Sequence, residues 1–427
     1  MSFLNQFLLG FQSATFAAVV SIAASSALGQ NRVVTATAES VGMSSQRLEL
    51  IDSMLQQHVD DGRVPGIVAG IARHGQIVFL KSYGWQDIEQ RLPMQDNSIF
   101  QIRSMSKPIT AIAVLQLVEE GKIALSDPVE NYIPSFKSVR VFNNPDAMDI
   151  NDTRPPSRQI TIEDLLLNTA GLSHRFSALY RNNGVRSRGD SLEQLVDKVA
   201  SIPLIGDPGS QWVYSISITV LGRIIEIVSG QDFDVYLDEN LFAPLALSST
   251  GFYVKPNQQD RLAKAYTIAE PGKLLEPLAP MAIPITTKPP LMEGAAGIVS
   301  TVPDYLRFLQ ALLNKGELDG HRILSPSSVT AATTNHIADE LLPIGTNPQA
   351  PMFDRGWGYG MSVVVDASQS SYGVNNGEFG WGGSLGTQAW ADPETDMAVV
   401  IMLQVQPAAA YDIASKFKAM VFQSVID

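Results

Sequence analysis

Between Ser44 and Val59 the apolar residues Leu48, Ile51, Leu55 and Val59 fall on one helix face, which predicts a helix there, with Gly62 able to end it. The run GIVAGIARHGQIVFLKSYG predicts a hairpin: two β-rich stretches flank the turn pair His74-Gly75. From Ser104 to about Glu120 the chain is apolar on most sides of a helix (Ile109, Ile112, Val114, Leu115, Leu117), the pattern of a buried helix, and Gly121 suits its end. Residues 137–159, rich in Pro, Asn, Asp and Arg, predict a loop. Helices follow in TIEDLLLNTAGL, where Thr161 is a candidate cap with Asp164 three residues on, in SLEQLVDKVASI and in ITVLGRIIEIVSG, which stops at Gly230. Residues 251–296 look irregular. STVPDYLRFLQALLNKG is another helix, with Pro303 in its first turn and Gly316 past its end. The stretches WGYGMSVVVD, GTQAWADP and DMAVVIMLQV predict strands, DPETD the turn between the last two, and Ala408 to Val425 a closing helix.

Strands therefore stand at both ends of the chain and helices in the middle. The economical fold is an α/β (α+β) arrangement: one antiparallel sheet built from both ends, flanked by the first and last helices, with a mainly helical domain inserted. This puts a sheet subdomain at about 40–125 and 290–427 and a helical subdomain at about 126–289.

Composition narrows the function. The chain is 45% hydrophobic and 17% charged over 427 residues, enough to bury a large core. Its net charge of -13 repels phosphate backbones, so nucleic acid is excluded as a partner. Cysteine is absent, which removes disulfides, thiolate nucleophiles and Cys-based metal sites. The first 29 residues carry no charged side chain. Ala14–Ala24 suits the apolar region of a signal peptide cleaved after Ala27-Leu28-Gly29, although the start lacks Lys or Arg. That implies a periplasmic or secreted protein, with a cytoplasmic one as the alternative. Polar residues dilute the run, so it is not expected to be a membrane anchor.

Two serines invite chemistry. Gly382-Gly383-Ser384-Leu385-Gly386 fits G-x-S-x-G, but that elbow needs a helix after the serine and a histidine later in the chain. Strand patterns follow Ser384, and the five histidines (His58, His74, His174, His321, His336) all precede it. Ser104-Met105-Ser106-Lys107 is different. Ser104 and Lys107, three apart, share a helix face. Burial and the positive end of the helix dipole both disfavour the ammonium form, so the amine can act as a base in place of histidine. S-x-x-K by itself also fits a helix start with a solvated lysine. The helix that follows here is too apolar to lie on the surface.

In RSMSKPITA (103–111), EEGKIALSDPVENYIP (119–134), TIEDLLLNTAGL (161–172), PGSQWVYSISITVLGRIIE (208–226), GAAGIVSTVPDYLRFLQALLNKGELDG (294–320) and WGGSLGTQAWADPETDMAVV (381–400), the chain resembles the serine β-lactamase and penicillin-binding protein superfamily, and within it the class C-like branch with the family VIII carboxylesterases. The likeness runs from about Ser44 to the C-terminus. It implies Ser104 as acyl-accepting nucleophile, Lys107 as base and Tyr214 as a proton shuttle whose pKa a nearby ammonium lowers. It also implies an oxyanion hole from the backbone N–H groups of Ser104 and Ser384. Trp381, Gly382 and Gly383 fall on a strand lining the site. The branch's β-lactamases usually carry Asn where this chain has Ile216 and Lys where it has Trp381. Both departures suggest apolar surface facing the substrate, and so neutral short-chain esters rather than anionic antibiotics. Asn168 stands where many relatives have His, with no mechanistic reading.

The resulting expectation is a serine carboxylesterase acting on a small-molecule ester, with no cofactor and no metal. A β-lactamase or D-amino-acid peptidase is the enzymatic alternative, with β-lactam hydrolysis also plausible as a side activity. A non-catalytic penicillin-recognising protein is the other. H-E-x-x-H, the phosphate-loop motif and G-x-G-x-x-G are all missing.

Overall fold

The computed structural model describes residues 35–146, 149–187, 189–268, 275–279, 284–346, 351–371 and 373–427. The expected signal peptide, residues 1–29, lies outside them. Strands β1 (Gly66–Arg73), β2 (Gln76–Asp87), β3 (Leu92–Pro93), β4 (Arg355–Trp357), β5 (Ser362–Val364), β6 (Phe379–Gly383), β7 (Thr387–Asp392) and β8 (Met397–Met402) form one sheet in the order β4-β5-β6-β7-β8-β1-β2-β3. Every neighbouring pair in it is antiparallel. The two ends of the chain meet where β1 pairs with β8, Val68 opposite Met402 and Arg73 opposite Met397. At the hairpin between β1 and β2 both turn residues take positive φ, His74 at 52° and Gly75 at 70°, which matches the twist of the flanking strands.

Alternation along the central strands divides the core. Ile67, Ala69 and Ile71 of β1 and Met397, Val399 and Ile401 of β8 face one side, where helices α1 (Ser45–Asp60) and α7 (Ile413–Gln423) cover them with Leu48, Ile51, Leu55, Phe417 and Val421. Val68, Ala72, Ala398, Val400 and Met402 face the other side. That side belongs to a larger core holding α2 (Ser106–Glu119), α3 (Ile162–Leu167), α4 (Leu192–Ala200), α5 (Ser217–Ser229) and α6 (Val302–Leu313). Helix α3 opens with the capping box expected of Thr161 and Asp164, and α5 closes on Gly230 at φ 72°. All of α2 from Ser106 to Leu117 is buried.

Three stretches differ from the pattern. Residues 137–159, expected as loop, include a short antiparallel pair, Val141–Phe142 with Thr153–Arg154. WGYGMSVVVD, read as one strand, splits into β4 and β5. Gly360 turns between them at φ 77°, and a side chain there would meet the backbone oxygen of Lys107 at 3.0 Å. The hairpin is bent so that its tip rests on the first turn of α2. The closing helix begins at Ile413 instead of Ala408, because Ala408–Tyr411 form a separate 3-10 turn.

Helix α6 lies directly on the sheet at Gly70, where a Cβ would fall 2.7 Å from Val302 Cγ1 and 2.8 Å from Leu306 Cδ1. Gly70→Val must push α6 away, and overpacking of this kind costs about 1–3 kcal/mol. Urea unfolding should show the midpoint falling with the slope unchanged; an unaltered midpoint would mean that the helix is not held at this distance.

Candidate active site

The chain enters the site through Arg103, whose φ of 49° lies in the left-handed region. A non-glycine residue held there stores about 1–3 kcal/mol of strain, and such residues gather at functional sites. The strain is held by contacts around the 3-10 turn Arg103–Met105. Ser106 Oγ donates to Arg103 O (2.6 Å) and accepts from Ile298 N (3.2 Å), Tyr305 Oη donates to Met105 O (2.9 Å), and Thr387 Oγ1 donates to Ile102 O (3.2 Å). Strand β6 presses against the same turn. A side chain on Gly383 would stand 2.3 Å from Ile102 O, so only glycine lets the strand run beside Ser104.

Lys107, in the first turn of α2, is 2% exposed. Its Nζ lies 3.2 Å from Ser104 Oγ, donates to Ala295 O at 2.9 Å and sits 4.5 Å from the centre of the Tyr214 ring. Burial holds its pKa well below the ordinary lysine range; the positive charge of Arg175 adds to this, and Glu293 opposes it. The amine is therefore biased to the neutral form that a base requires.

Tyr214 behaves differently from the sequence expectation of a lowered pKa. Burial pushes its phenol up to about 12, outweighing the hydrogen bonds to Ser104 and Trp381 that pull it down. An amine biased to the neutral form draws less on the phenol's proton. Both shifts favour the same pair, a neutral amine beside a protonated phenol.

Trp381 on β6 donates its indole N–H to Tyr214 Oη at 2.9 Å. Expected as apolar surface, it also supplies a polar contact. Its ring stacks edge-on against the fully buried Trp357, centres 4.7 Å apart, while Trp357 donates to Leu166 O (3.1 Å). Ile216 is the clear departure. It is fully buried, caps the start of α5 and packs in the core, because the turn after Tyr214 points it inward; Ser215 lines the cavity in its place. Asn168 acquires a role. At the end of α3, in the left-handed conformation that asparagine tolerates (φ 59°), its Oδ1 accepts from Ser215 N (3.2 Å) and Oγ (3.1 Å), and its backbone oxygen accepts from Val213 N (2.9 Å). It fixes the segment that carries Tyr214.

Ser104, Lys107, Tyr214, Trp381, Gly382, Gly383 and Ser384 together line one cavity of about 420 Å³. Sequence reasoning missed His174 and Arg175, which line this cavity, and Glu293 and Arg186 behind them. His174 stacks on Tyr214 with centres 6.0 Å apart and is held neutral at pH 7, its pKa lowered to about 4 chiefly by burial. Arg175 pairs with the buried Glu293 (2.8 Å), which also takes Arg186 (2.5 Å). The available signal was Glu293 itself, a lone carboxylate in the otherwise uncharged stretch 289–303. Among the described residues no group of His, Asp and Glu is arranged to hold a metal.

The β-lactamase family profile matches residues 51–419. The chain belongs to the β-lactamase family. Within this family, an uncharacterised protein of Mycobacterium tuberculosis is 33% identical over 367 residues, covering 84% of this chain and 91% of its own. Esterase EstB of Burkholderia gladioli is 27% identical over 384 residues, covering 82% of this chain and 89% of its own. Among solved structures, EstCE1, described as a hydrolase with promiscuous acyltransferase activity, superposes with a TM-score of 0.76 at 27% identity, covering 88% of this chain and 98% of its own. The fold and the family thus agree with the resemblance seen in the sequence, including its esterase-bearing branch.

The Trp381–Tyr214 bond has a measurable consequence. A net hydrogen bond is worth about 0.5–1.5 kcal/mol, so Trp381→Phe should slow proton delivery roughly twofold to tenfold. The loss should be larger for ethyl butyrate, whose alkoxide needs a proton, than for p-nitrophenyl butyrate, whose phenolate does not. Equal losses on both esters would show that the indole acts on something other than Tyr214's proton.

Proposed function

We propose that this protein is a serine carboxylesterase hydrolysing neutral acyl esters, short-chain ones included, through an acyl-enzyme on Ser104. The observation that carries it is the buried Lys107 amine 3.2 Å from Ser104 Oγ, with its pKa driven down by burial. In this reading the amine lone pair takes the Ser104 proton as Oγ attacks the ester carbonyl carbon. The backbone N–H groups of Ser104 and Ser384 receive the oxyanion. Tyr214 gives its proton to the departing alkoxide and recovers one from the Lys107 ammonium. Water then attacks the acyl-enzyme by the reverse route and releases the acid. An alcohol in place of water gives transacylation, the second activity printed for the relative EstCE1.

Trp381 supports the ester over the β-lactam. It gives the phenol a hydrogen bond without bringing a cation to hold an antibiotic's carboxylate. Desolvating an amide with no partner costs about 1–3 kcal/mol, and an ionised carboxylate costs more. With Ile216 buried, this preference rests on Trp381. The specificity constant kcat/KM for p-nitrophenyl butyrate should exceed that for nitrocefin and every penicillin tested; a β-lactam turned over faster than all esters would reverse the assignment.

The nucleophile and base are tested separately. Ser104→Ala should abolish ester hydrolysis, whereas Ser384→Ala should retain much of it, since alanine keeps the amide. Mass spectrometry after a fluorophosphonate should put the adduct on Ser104. Lys107→Arg keeps a positive charge but cannot take up a proton, and should lose roughly 10²–10⁴-fold in kcat. An adduct on Ser384, or near-normal turnover in Lys107→Arg, would sink this mechanism.

A further inference from the structure

A second cavity of about 360 Å³ adjoins the first. The two share only Arg175, Phe176 and Ser384. Phe252, Ile285, Pro289, Leu291 and Ile298 give it apolar wall, while Gln101, Arg103, Glu293 and Gln406 give it polar wall. Tyr214, Trp381 and His174 line the first cavity and not the second.

That asymmetry fixes which part of an ester reaches it. Three groups other than Ser104 Oγ surround the carbonyl carbon during attack. The oxyanion lies toward the N–H groups of Ser104 and Ser384. The leaving oxygen must face Tyr214, its proton donor, and so stays beside Trp381 in the first cavity. The remaining direction is left for the acyl chain, and the second cavity, which meets the first at Arg175, Phe176 and Ser384, is the space that can take it in this reading.

The partition at that junction is built. Phe176 is 45% exposed, an unusual state for a large apolar side chain beside a cavity. The guanidinium carbons of Arg175 and Arg186 lie 4.3 and 4.9 Å from its ring centre. Both guanidiniums are tied to the buried Glu293. One carboxylate thus holds two cations on one aromatic ring, an arrangement that fixes the ring's position despite its exposure.

We propose that the second cavity receives the acyl chain, so that the enzyme accepts linear acyl groups of octanoate length as well as short ones, with Phe176 limiting the bulk that passes. This rests on the esterase reading and extends its substrate class. Each methylene that leaves water for an apolar wall raises transition-state binding by up to about threefold to fourfold.

The test is kcat/KM for p-nitrophenyl acetate, butyrate, hexanoate and octanoate, with ethyl acetate, ethyl octanoate and octyl acetate followed by pH-stat so that acyl and alcohol chains are compared on alkoxide leaving groups. The expected result is a rise from acetate to octanoate, with no comparable gain when the eight carbons are moved to the alcohol. Ile285→Trp, on a half-buried position, and Leu291→Trp, on a separate part of the wall, should each lower the octanoate-to-acetate ratio at least tenfold. Phe176→Ala should raise the relative rate on acyl groups branched next to the carbonyl. A ratio that favours acetate in the wild type and ignores both tryptophans overturns this proposal and leaves the esterase standing. So does a gain confined to octyl acetate. Hydrolysis of none of the esters overturns both. Should either variant fail to fold, the wild-type comparison of ethyl octanoate with octyl acetate, each against ethyl acetate, decides alone.

Discussion

Everything at this site depends on keeping one lysine amine out of water. An exposed lysine at neutral pH is an ammonium with no lone pair, useless as a base. Lys107 escapes that state because α2 is buried along almost its whole length in the larger core, packed against α5. Burying an amine in this way works against folding, and the protein offsets it with a carbonyl partner at Ala295. Arg175 adds positive potential nearby and pushes in the same direction as burial. The apolar core is thus an electrostatic device as well as a source of stability.

Position is supplied by backbone contacts that permit no adjustment. Strand β6 reaches Ser104 because Gly383 has no side chain to strike Ile102, and the hairpin of β4 and β5 reaches α2 because Gly360 has none to strike Lys107. Asn168 does with side-chain hydrogen bonds what these glycines do with space, fixing the segment before α5 so that Tyr214 faces Lys107. Antiparallel pairing of β1 with β8 closes the frame that holds these parts together. The core on both faces of the central strands then makes a slip by one residue prohibitive.

Trp381 shows how one change of chemistry can keep a geometry. A lysine at this position brings a charge that favours a phenolate and binds an anion. The indole brings one uncharged donor, and the phenol stays protonated. The proposed mechanism asks the amine to accept protons and the phenol to give them, and neither Lys107 nor Tyr214 lines the adjoining cavity.

Alternation and helical spacing determined the hairpin, the strands at the two ends and most helices, because those signals come from which residues must leave water. The pair Ser104 and Lys107 was legible for a local reason: three residues on one helix turn bring their side chains together wherever that turn sits. Tyr214, Trp381 and Ser384 were legible only through the resemblance, since nothing within their own segments says that they converge. The direction of Tyr214's pKa shift, the inward turn of Ile216, the use of Asn168 and the Arg175–Glu293–Arg186 cluster around Phe176 were decided by tertiary structure alone. Each depends on burial or on partners more than forty residues away. Hydrophobic patterning records that a residue is buried, but not what it is buried against, and the chemistry of this site lies in that second fact.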